Sequence, residues 1–470
     1  MKLGRTRRIH FVGIGGIGMS GIAELLLNLG YEVSGSDVKL SAATERLARM
    51  GACVFEGHDA RHVGVADVVV VSSAVASSNP EMGEALRRRI PVIPRAEMLG
   101  ELLRLRYGIA VAGAHGKTTT TSMIAFALER AGLDPTAVIG GRVSAFGSNA
   151  RLGRGDVMVV EADESDGSFL KLAPSIAVIT NVDREHLDHY GDFGRLQAAF
   201  VEFANRVPFH GAVVVCADDA VLSALVPGMT RRVVTYGLDA AHATVRGRNV
   251  ALAGWISQCD VFSRDAGGGE VLLGTLQLRV PGRHNLLNAL AAVGVGLELG
   301  VPFDRMAAGL EEFTGAERRF QVLGETGGVL LVDDYGHHPT EIRSVLAAAR
   351  GFESRRILVV FQPHRYSRTA ALLDEFAEAL AEADELVLTD IYAAHEPARA
   401  DVSIELLADA IRRRSSRPLH IVKSLDAVPE FVAAHARSGD LVVTLGAGSI
   451  GGVGARLLQL LGESKEADRR

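Results

Sequence analysis

One segment of the sequence combines glycine, lysine and threonine in a pattern that could bind phosphate. The segment AGAHGKTTTT places Gly113 and Gly116 directly before Lys117 and Thr118, after an apolar run and ahead of a helical pattern. Backbone N–H groups at a helix N-terminus favour an anion, so we expect this loop to hold nucleotide phosphates. Lys117 would neutralise the β- and γ-phosphates, and the Thr118 hydroxyl would bind Mg²⁺. The two glycines stand closer together than in a standard phosphate-binding loop.

A magnesium site also needs oxygen ligands from neighbouring strands. The strand VMVV ends in Glu161, within EADESD, and the strand SIAVITN is followed by VDREHLDHY, which contains His186. Because ligands in α/β proteins gather at the carboxyl edge of the sheet, Glu161 and His186 are candidate metal ligands. The alternatives are a helix-capping role for the carboxylates and a surface position for the histidine.

The N-terminal segment carries a second glycine loop. Gly13, Gly15 and Gly18 stand in G-x-G-x-x-G register, and Asp37 follows at the end of the next predicted strand. This pattern is typical of a dinucleotide site in which the acidic residue binds a ribose hydroxyl. It therefore keeps a nicotinamide-dependent oxidoreductase open as a function, beside a tight turn with no ligand.

Two further segments place polar residues after apolar strands. Each is predicted to lie at the carboxyl edge of a sheet, where an arginine pair suits a carboxylate or a developing phosphate charge. The alternative for each is a solvated loop with a capping Asp. LVDDYGHHPTE contains Asp333, Asp334, Tyr335, His337 and His338, and VVFQPHRYSRT contains His364, Arg365 and Arg368.

The elements that position these residues alternate between short apolar strands and amphipathic helices, which predicts an α/β fold with mostly parallel sheets. At 470 residues the chain is long enough for about three domains. We place their boundaries at 1–105, 106–313 and 314–470, the first and third Rossmann-like and the central one of the phosphate-loop ATPase type. The expected strands lie near 8–13, 31–35, 67–71, 90–93, 157–160, 175–181, 212–216, 329–333, 357–361, 386–389 and 441–445, with another directly before Gly113.

Composition excludes several other classes of protein. A formal net charge of −6 argues against a nucleic-acid partner, and three distant cysteines without C-x-x-C spacing argue against zinc and fit a reducing compartment. No apolar run is long enough to predict a membrane span, so we expect a cytoplasmic protein. The sequence leaves monomer and homodimer open.

The order of nine motifs resembles the Mur ligases. The motifs are GIGGIGMSGIA, AHGKTTT, EADESD, TNVDREHLDHY, PGRHNLLNA, GAERRF, DDYGHHPTE, FQPHRYSRT and GAGSIG. The match covers nearly the whole chain. It implies three domains, an N-terminal one for a UDP-sugar, a central ATPase domain and a C-terminal one that closes over both. The UDP-sugar would then occupy the first glycine loop without any NAD.

The resemblance also implies a role for individual residues. The cofactors would be ATP and Mg²⁺, with Mn²⁺ as a substitute, and the metal ligands would be Thr118, Glu161 and His186. ATP would be bound by Gly113, Ala114, His115, Gly116, Lys117, Thr118, Thr119, His284, Asn285, Asn288, Arg319 and Asp334. The other substrates would be bound by Gly15, Gly16, Gly18, Asp37, Ser72, Ser73, Tyr335, His337, Arg365 and Arg368, with His58 near the same cleft. The catalytic residues would be Lys117, His337, His364, Arg365 and Arg368.

The implied reaction is the ATP-dependent ligation of L-alanine to the carboxylate of UDP-N-acetylmuramate, through an acyl phosphate, in peptidoglycan precursor synthesis. Either His337 or His364 could be the base, and the sequence does not choose between them. A recycling ligase that joins a preformed peptide to the same UDP-sugar would share most motifs, and an inactive nucleotide-binding regulator is less favoured. Several sister ligases use a carbamylated lysine, but no lysine occurs here between Lys171 and Lys423.

Overall fold

The chain folds into two compact units. The computed structural model describes residues 3–72, 74–143, 148–264, 267–352 and 355–468. The first unit consists of Met1–Val250, Cys259–Gln277 and Leu287–Thr314, and the second of Ala251–Gln258, Leu278–Leu286 and Gly315–Arg470.

A five-stranded parallel sheet begins the first unit. Its elements are β1 (Arg8–Val12), α1 (Ile17–Asn28), β2 (Glu32–Asp37), α2 (Ala42–Arg49), β3 (Cys53–Glu56), β4 (Val68–Val71), α3 (Pro80–Arg87), β5 (Val92–Pro94) and α4 (Arg95–Leu103). The strand order is β3-β2-β1-β4-β5, so the chain turns back beside β1. Ligands of such sheets bind at the carboxyl ends of the strands, near this reversal.

A ten-stranded sheet follows. Its strands are β6 (Tyr107–Ala112), β7 (Thr136–Val143), β8 (Ser148–Arg151), β9 (Val157–Glu161), β10 (Ile176–Ile179), β11 (Ala212–Cys216), β12 (Val233–Gly237), β13 (Val245–Ala253), β14 (Ile256–Arg264) and β15 (Glu270–Leu278). Its helices are α5 (Lys117–Arg130), α6 (Leu187–Tyr190), α7 (Phe193–Asn205), α8 (Ala220–Leu225), α9 (Arg283–Glu298) and α10 (Phe303–Glu311). The order β15-β14-β13-β12-β11-β10-β6-β9-β7-β8 places β6 between β10 and β9, all three parallel. The loops after these strands therefore meet at one edge.

The second unit is built on a six-stranded sheet. Its elements are β16 (Gln321–Thr326), β17 (Val329–Asp334), α11 (Pro339–Arg350), β18 (Ile357–Phe361), α12 (Tyr366–Ala371), α13 (Leu373–Leu380), β19 (Glu385–Leu388), α14 (Ile404–Arg412), β20 (Leu419–Ile421), α15 (Val428–His435), β21 (Leu441–Leu445) and α16 (Val453–Asp468). The order is β16-β17-β21-β18-β19-β20, and only β16 runs antiparallel to its neighbour. β17 and β18 therefore flank β21, and their ends carry the two polar segments.

Both faces of this sheet are buried. Leu330 and Val332 of β17 pack in one core with residues of α11, α13 and α14. Val329 and Leu331, which alternate with them, pack in a second core with residues of α15 and α16. Burial on both faces explains why the central strands are continuous apolar runs in the sequence.

The predicted α/β class is confirmed, and the predicted strands are present to within a few residues. The three sheets lie within the three predicted segments, whose exact boundaries stay a prediction. Within the described ranges, no helix has both the length and the apolar composition needed to cross a bilayer.

Candidate active site

The loop after β6 leads directly into α5, as the sequence predicts. Gly113 has a φ of 132°, and a Cβ there would collide with Thr180 Oγ1. Thr180 Oγ1 in turn donates a hydrogen bond to the carbonyl oxygen of His115 at 2.6 Å. Only glycine therefore lets the chain pass this close to the end of β10.

Residues after β10 fix the middle of the loop. The backbone N–H of His115 donates to Asn181 Oδ1 at 2.8 Å, and that of Ala114 donates to the Asn181 carbonyl at 3.2 Å. The ring Nε2 of His115 lies 2.8 Å from Asp183 Oδ2. Sequence reasoning did not single out Asn181 or Asp183, although both belong to the segment TNVDREHLDHY that includes His186.

Lys117 forms a buried ion pair with Glu164. Its Nζ donates to Glu164 Oε1 at 2.8 Å and to the carbonyl oxygens of Gly113 and Ala114 at 2.6 and 3.1 Å. Burial by itself lowers the pKa of Lys117, but the Glu164 carboxylate outweighs it and raises the pKa above its ordinary value. Burial also raises the pKa of Glu164 to about 7, although Lys117 opposes that shift. Lys117 is thus held charged at the start of α5.

Thr118 and Glu161, both predicted metal ligands, face each other. The Thr118 hydroxyl donates to Glu161 Oε1 at 3.1 Å, and the backbone N–H of Gly140 donates to Glu161 Oε2 at 2.7 Å. Hydroxyl and carboxylate oxygens are donors that Mg²⁺ accepts. The strand end and the helix start therefore bring two candidate oxygen ligands together beside the glycine loop.

The third predicted ligand, His186, lies beside two other carboxylates. Its Nε2 is 3.6 Å from Glu164 Oε1 and 3.8 Å from Glu185 Oε2, and one ligand atom from each of the three residues falls within 4.8 Å of the others. His186 has a φ of 56°, which is uncommon for a residue with a side chain and is often found at functional sites.

The donor chemistry of this cluster fits a divalent cation. Glu164 Oε2 is buried and has no hydrogen-bond partner among the described residues, and such an orphaned carboxylate oxygen is costly unless a cation approaches it. Sequence reasoning missed Glu164 and Glu185. Their positions, three residues after Glu161 and directly before His186, were the available signal.

Two more predicted nucleotide ligands support the loop from α5 and α9. Asn288 Oδ1 accepts a hydrogen bond from the Thr120 hydroxyl at 3.1 Å, and a Cβ at Gly116 would lie 2.8 Å from the same oxygen. Thr119 is buried in the first turn of α5. These residues hold the loop in position around its two glycines.

The first glycine loop borders a separate cavity of about 650 Å³. Asp37 Oδ2 accepts a hydrogen bond from the backbone N–H of Gly15 at 2.8 Å, so this carboxylate fixes the loop as well as facing the cavity. Gly18 instead lies against the Arg95 side chain. The predicted residue Ser73 lies outside the described residues. The cavity lining includes Gly13, Gly15, Gly16, Asp37, His58 and Ser72.

In the second unit, Asp334 holds a tight turn. Its Oδ2 accepts a hydrogen bond from the backbone N–H of Phe320 at 2.7 Å, and its Oδ1 accepts one from the backbone N–H of Gly336 at 2.6 Å. Burial raises the pKa of Asp334 to about 6. The Arg319 guanidinium lies 5.3 Å from the centre of the Tyr335 ring and 3.4 Å from Glu341 Oε1. Asp334 therefore positions the segment that carries Arg319 and Tyr335.

The two candidate bases lie close together. The rings of His337 and His364 are 5.7 Å apart, and Arg368 Nη1 is 3.3 Å from His364 Nδ1. Burial, with the charges of His337 and Arg368, lowers the pKa of His364 to about 4. Arg365 directly precedes α12 and has a φ of 71°. The structure thus brings four of the predicted catalytic residues together at the ends of β17 and β18.

His284 and Asn285, at the start of α9, belong to the second unit as well. Burial and the Arg319 charge lower the pKa of His284 to about 4, so its ring is neutral at pH 7. Asn285 Nδ2 donates to the carbonyl oxygen of Pro281 at 2.8 Å. His284 therefore presents a neutral imidazole beside Arg319, and its role in binding a nucleotide stays a prediction.

The C-terminal glycine loop has a packing role. A Cβ at Gly446 would lie 2.7 Å from the Gln362 carbonyl oxygen, one at Gly448 2.7 Å from the Tyr392 ring, and one at Gly451 2.6 Å from the Arg318 guanidinium. The loop after β21 is thus closely covered by side chains and backbone of the second unit.

Family models match three consecutive segments of the chain. They are described as the Mur ligase family catalytic domain at residues 8–107, the Mur ligase middle domain at 111–296, and the Mur ligase glutamate ligase domain at 318–448. The three matches follow the three sheets.

Individual relatives match along nearly the full length. A UDP-N-acetylmuramate–L-alanine ligase of Solibacter usitatus (strain Ellin6076) is 56% identical over 97% of this chain and 96% of its own. A solved UDP-N-acetylmuramate-alanine ligase of Thermotoga maritima superposes with a TM-score of 0.80 at 31% identity, over 97% and 99% of the two chains. A murein peptide ligase of Psychrobacter arcticus 273-4 gives a TM-score of 0.70 at 26% identity, over 97% and 99%.

Proposed function

The chain belongs to the Mur ligase family, and from this premise we propose the reaction that it catalyses. The protein is an ATP-dependent ligase that joins L-alanine to the carboxylate of UDP-N-acetylmuramate. The products are UDP-N-acetylmuramoyl-L-alanine, ADP and phosphate, and the reaction is a step of peptidoglycan precursor synthesis. We place it in the cytoplasm, where ATP is supplied.

The observation that carries the proposal is the charged phosphate loop. Lys117 lies at the N-terminus of α5, paired with Glu164, and the Thr118–Glu161 pair adjoins it. An oxidoreductase that uses the first glycine loop for NAD would leave this arrangement without a role. A ligase needs it, because ATP must be held with its γ-phosphate toward an acceptor.

ATP is needed because a carboxylate is a poor acyl donor. In the first step a carboxylate oxygen of UDP-N-acetylmuramate attacks the γ-phosphorus, the bond to ADP breaks, and an acyl phosphate forms. Lys117 would stabilise the negative charge on the transferring group. Thr118, Glu161 and His186, with Glu164 adjacent, would hold Mg²⁺. The ion, when bound, would neutralise phosphate charge.

In the second step the amine of L-alanine attacks the acyl carbon and phosphate leaves. The ammonium must lose a proton before it attacks, and a neutral imidazole can accept it. His364 is neutral at pH 7 because its pKa is lowered to about 4, and His337 lies beside it. Arg365 and Arg368 supply positive charge for the amino-acid carboxylate and the leaving phosphate.

The test is phosphate release from ATP with UDP-N-acetylmuramate and one amino donor at a time. We expect fast release with L-alanine and little with the tripeptide of a recycling ligase. Release should fall to background when the UDP-sugar is omitted. Release with the tripeptide alone would overturn the proposal and identify a recycling ligase.

A further inference from the structure

A buried polar cluster lies beneath the wall of the N-terminal cavity, and its centre is Glu81. This residue is the second of α3, and its side chain is fully buried. One carboxylate oxygen, Oε2, accepts from His10 Nε2 at 2.7 Å and from Ser36 Oγ at 2.8 Å. The other, Oε1, accepts from His58 Nδ1 at 3.1 Å and from the backbone N–H of Asp59 at 3.3 Å.

The hydrogen bonds keep Glu81 ionised despite its burial. Burial raises the pKa of this carboxyl, but the donors His10, Ser36 and His58 together lower it below its ordinary value. An ionised carboxylate is an acceptor only, so the ring nitrogens that face it carry protons. The proton of His58 is therefore fixed on Nδ1, which also lies 3.0 Å from Ser36 Oγ.

Two histidines, His10 and His58, hydrogen-bond to Glu81, and a third, His62, lies 3.6 Å from Glu81 Oε1. His10 and His58 differ in what else they can contact. His10 is 0% exposed, and its other ring nitrogen, Nδ1, lies 2.9 Å from Ser34 Oγ, so this histidine is wholly inside the cluster. His58 is 21% exposed and lines the cavity beside Asp37 and Ser72. With Nδ1 donating to Glu81, Nε2 is the ring nitrogen of His58 that can accept a hydrogen bond from a ligand.

We propose that Glu81 is a positioning residue that acts through His58 on the UDP half of the substrate. Glu81 fixes the ring orientation and the tautomer of His58, so that Nε2 accepts a hydrogen bond from a donor group of the uridine. His10 and Ser36 hold the carboxylate in place from β1 and β2. This inference rests on the proposed function, since it takes a UDP-sugar as the occupant of the cavity.

The main test is the steady-state kinetics of Glu81→Gln. The amide turns an N–H group toward one of its donor neighbours, so His58 loses its fixed orientation. We expect the KM for UDP-N-acetylmuramate to rise about tenfold, the effect of losing one hydrogen bond, with kcat and the KM for ATP within about twofold of wild type. Glu84→Gln, on the same helix and outside the cavity lining, is the matched control and should change none of these values.

A double-mutant cycle tests whether Glu81 acts through His58. His58→Ala should raise the same KM by a similar factor, and adding Glu81→Gln to it should add less than about twofold, because coupled residues are not additive. Additive effects would overturn the proposal. So would a fall in kcat at unchanged KM, which is the result of a merely structural role that lowers the folded fraction.

A second variant, Ser36→Ala, tests the inference if Glu81→Gln does not fold. This substitution removes one hydrogen bond from the same carboxylate and should raise the KM several-fold; an unchanged KM would refute the inference.

Calorimetry with UDP separates this inference from the proposed function. Suppose that the wild type has no ligase activity and still binds UDP more tightly than Glu81→Gln does. In that case only the proposed function fails. If wild type ligates L-alanine and both bind UDP equally, only the inference fails.

Discussion

At the scale of single residues, the ion pair of Lys117 and Glu164 is the feature with the clearest energetic consequence. Both side chains are largely buried, at 15% and 1% exposure. Removing one partner of a buried pair leaves a charge without compensation, which costs about 3–5 kcal/mol, whereas removing both is far less harmful. The stability of the protein therefore depends on Lys117 and Glu164 being present together, whereas catalysis depends on the charge of Lys117 itself.

Lys117→Met should lower the free energy of unfolding, and Lys117→Met/Glu164→Gln should recover most of the loss. The raised pKa of Glu164, about 7 in the wild type, gives the sign of the pH dependence. A carboxyl whose pKa is raised by folding stabilises the protein at low pH and loses that contribution as pH rises. The single variant should thus be less stable at pH 8 than at pH 6, as measured by urea unfolding.

Ligation should fall at least a hundredfold in both variants, because neither retains the cation. Equal stability of the single and double variants at pH 8 would contradict the pairing of Lys117 with Glu164. Ligation near the wild-type rate in either variant would contradict the phosphate-binding role of Lys117.

The lowered pKa of His364 has consequences for the pH dependence of the reaction. Its pKa of about 4 keeps the ring neutral through the physiological range, so protonation of His364 should not reduce kcat/KM until the pH falls well below 6.5. A histidine titration by NMR should show this ring unprotonated at pH 5.5, and His337→Gln should raise its pKa by removing a like charge.

The role of a histidine as base is tested by His337→Ala and His364→Ala. At least one should lower kcat about a hundredfold or more while the KM for ATP changes little. Wild-type turnover in both variants would rule out either ring as the base.

At the scale of elements, the tight turn between β6 and α5 requires glycine at position 113. Gly113→Ala adds a methyl group that collides with Thr180 Oγ1, at a φ that L-residues avoid. We expect ATP affinity to fall more than tenfold by calorimetry, since loop strain costs about 1–3 kcal/mol before the collision is counted.

The matched control is Gly83→Ala. Gly83 lies within α3, and a Cβ there meets no atom within 4 Å. Alanine in a helix interior stabilises by about 0.5–1 kcal/mol, so ATP affinity should be unchanged and stability slightly higher. Retained ATP affinity in Gly113→Ala would show that the loop does not depend on this close approach.

Burial explains some of the strands that the sequence misses, but not all of them: the buried interior strand β7 was missed, and the half-buried edge strand β5 was predicted. β6, β11, β18 and β21 are continuous apolar runs because they lie inside sheets covered on both faces. β3, β16 and β20 were not predicted; each lies at the edge of its sheet, and none contains a buried residue. Edge strands are covered on fewer sides, so their sequences lack the apolar pattern that identifies a strand.

The sequence also predicts some residues of the candidate site and misses others. Lys117, Thr118 and Glu161 could be predicted because the first two begin the helix after a glycine turn and the third ends a strand. Glu164 could not be assigned a role in the same way, since its importance depends on its 2.8 Å contact with Lys117 across the sheet edge. Glu81 is similar, as its partners His10, Ser36 and His58 come from distant parts of the chain.

At the scale of the whole molecule, the distribution of lysines along the chain excludes the carbamylated lysine that several sister ligases use. With no lysine between Lys171 and Lys423, a carbamylated lysine cannot form on the helix that follows His186. Ligation rates should therefore be the same in bicarbonate-free buffer and with added bicarbonate. Restoration by bicarbonate of activity lost in its absence would contradict this prediction.

The most direct test of the proposed reaction follows oxygen from the carboxylate of UDP-N-acetylmuramate. With both carboxylate oxygens labelled with ¹⁸O, ligation through an acyl phosphate transfers one labelled oxygen to inorganic phosphate and leaves the other in the new amide. We predict one ¹⁸O atom per phosphate released in the presence of ATP and L-alanine, measured by mass spectrometry. Unlabelled phosphate, formed at the same rate as the amide, would contradict activation of the carboxylate by phosphorylation.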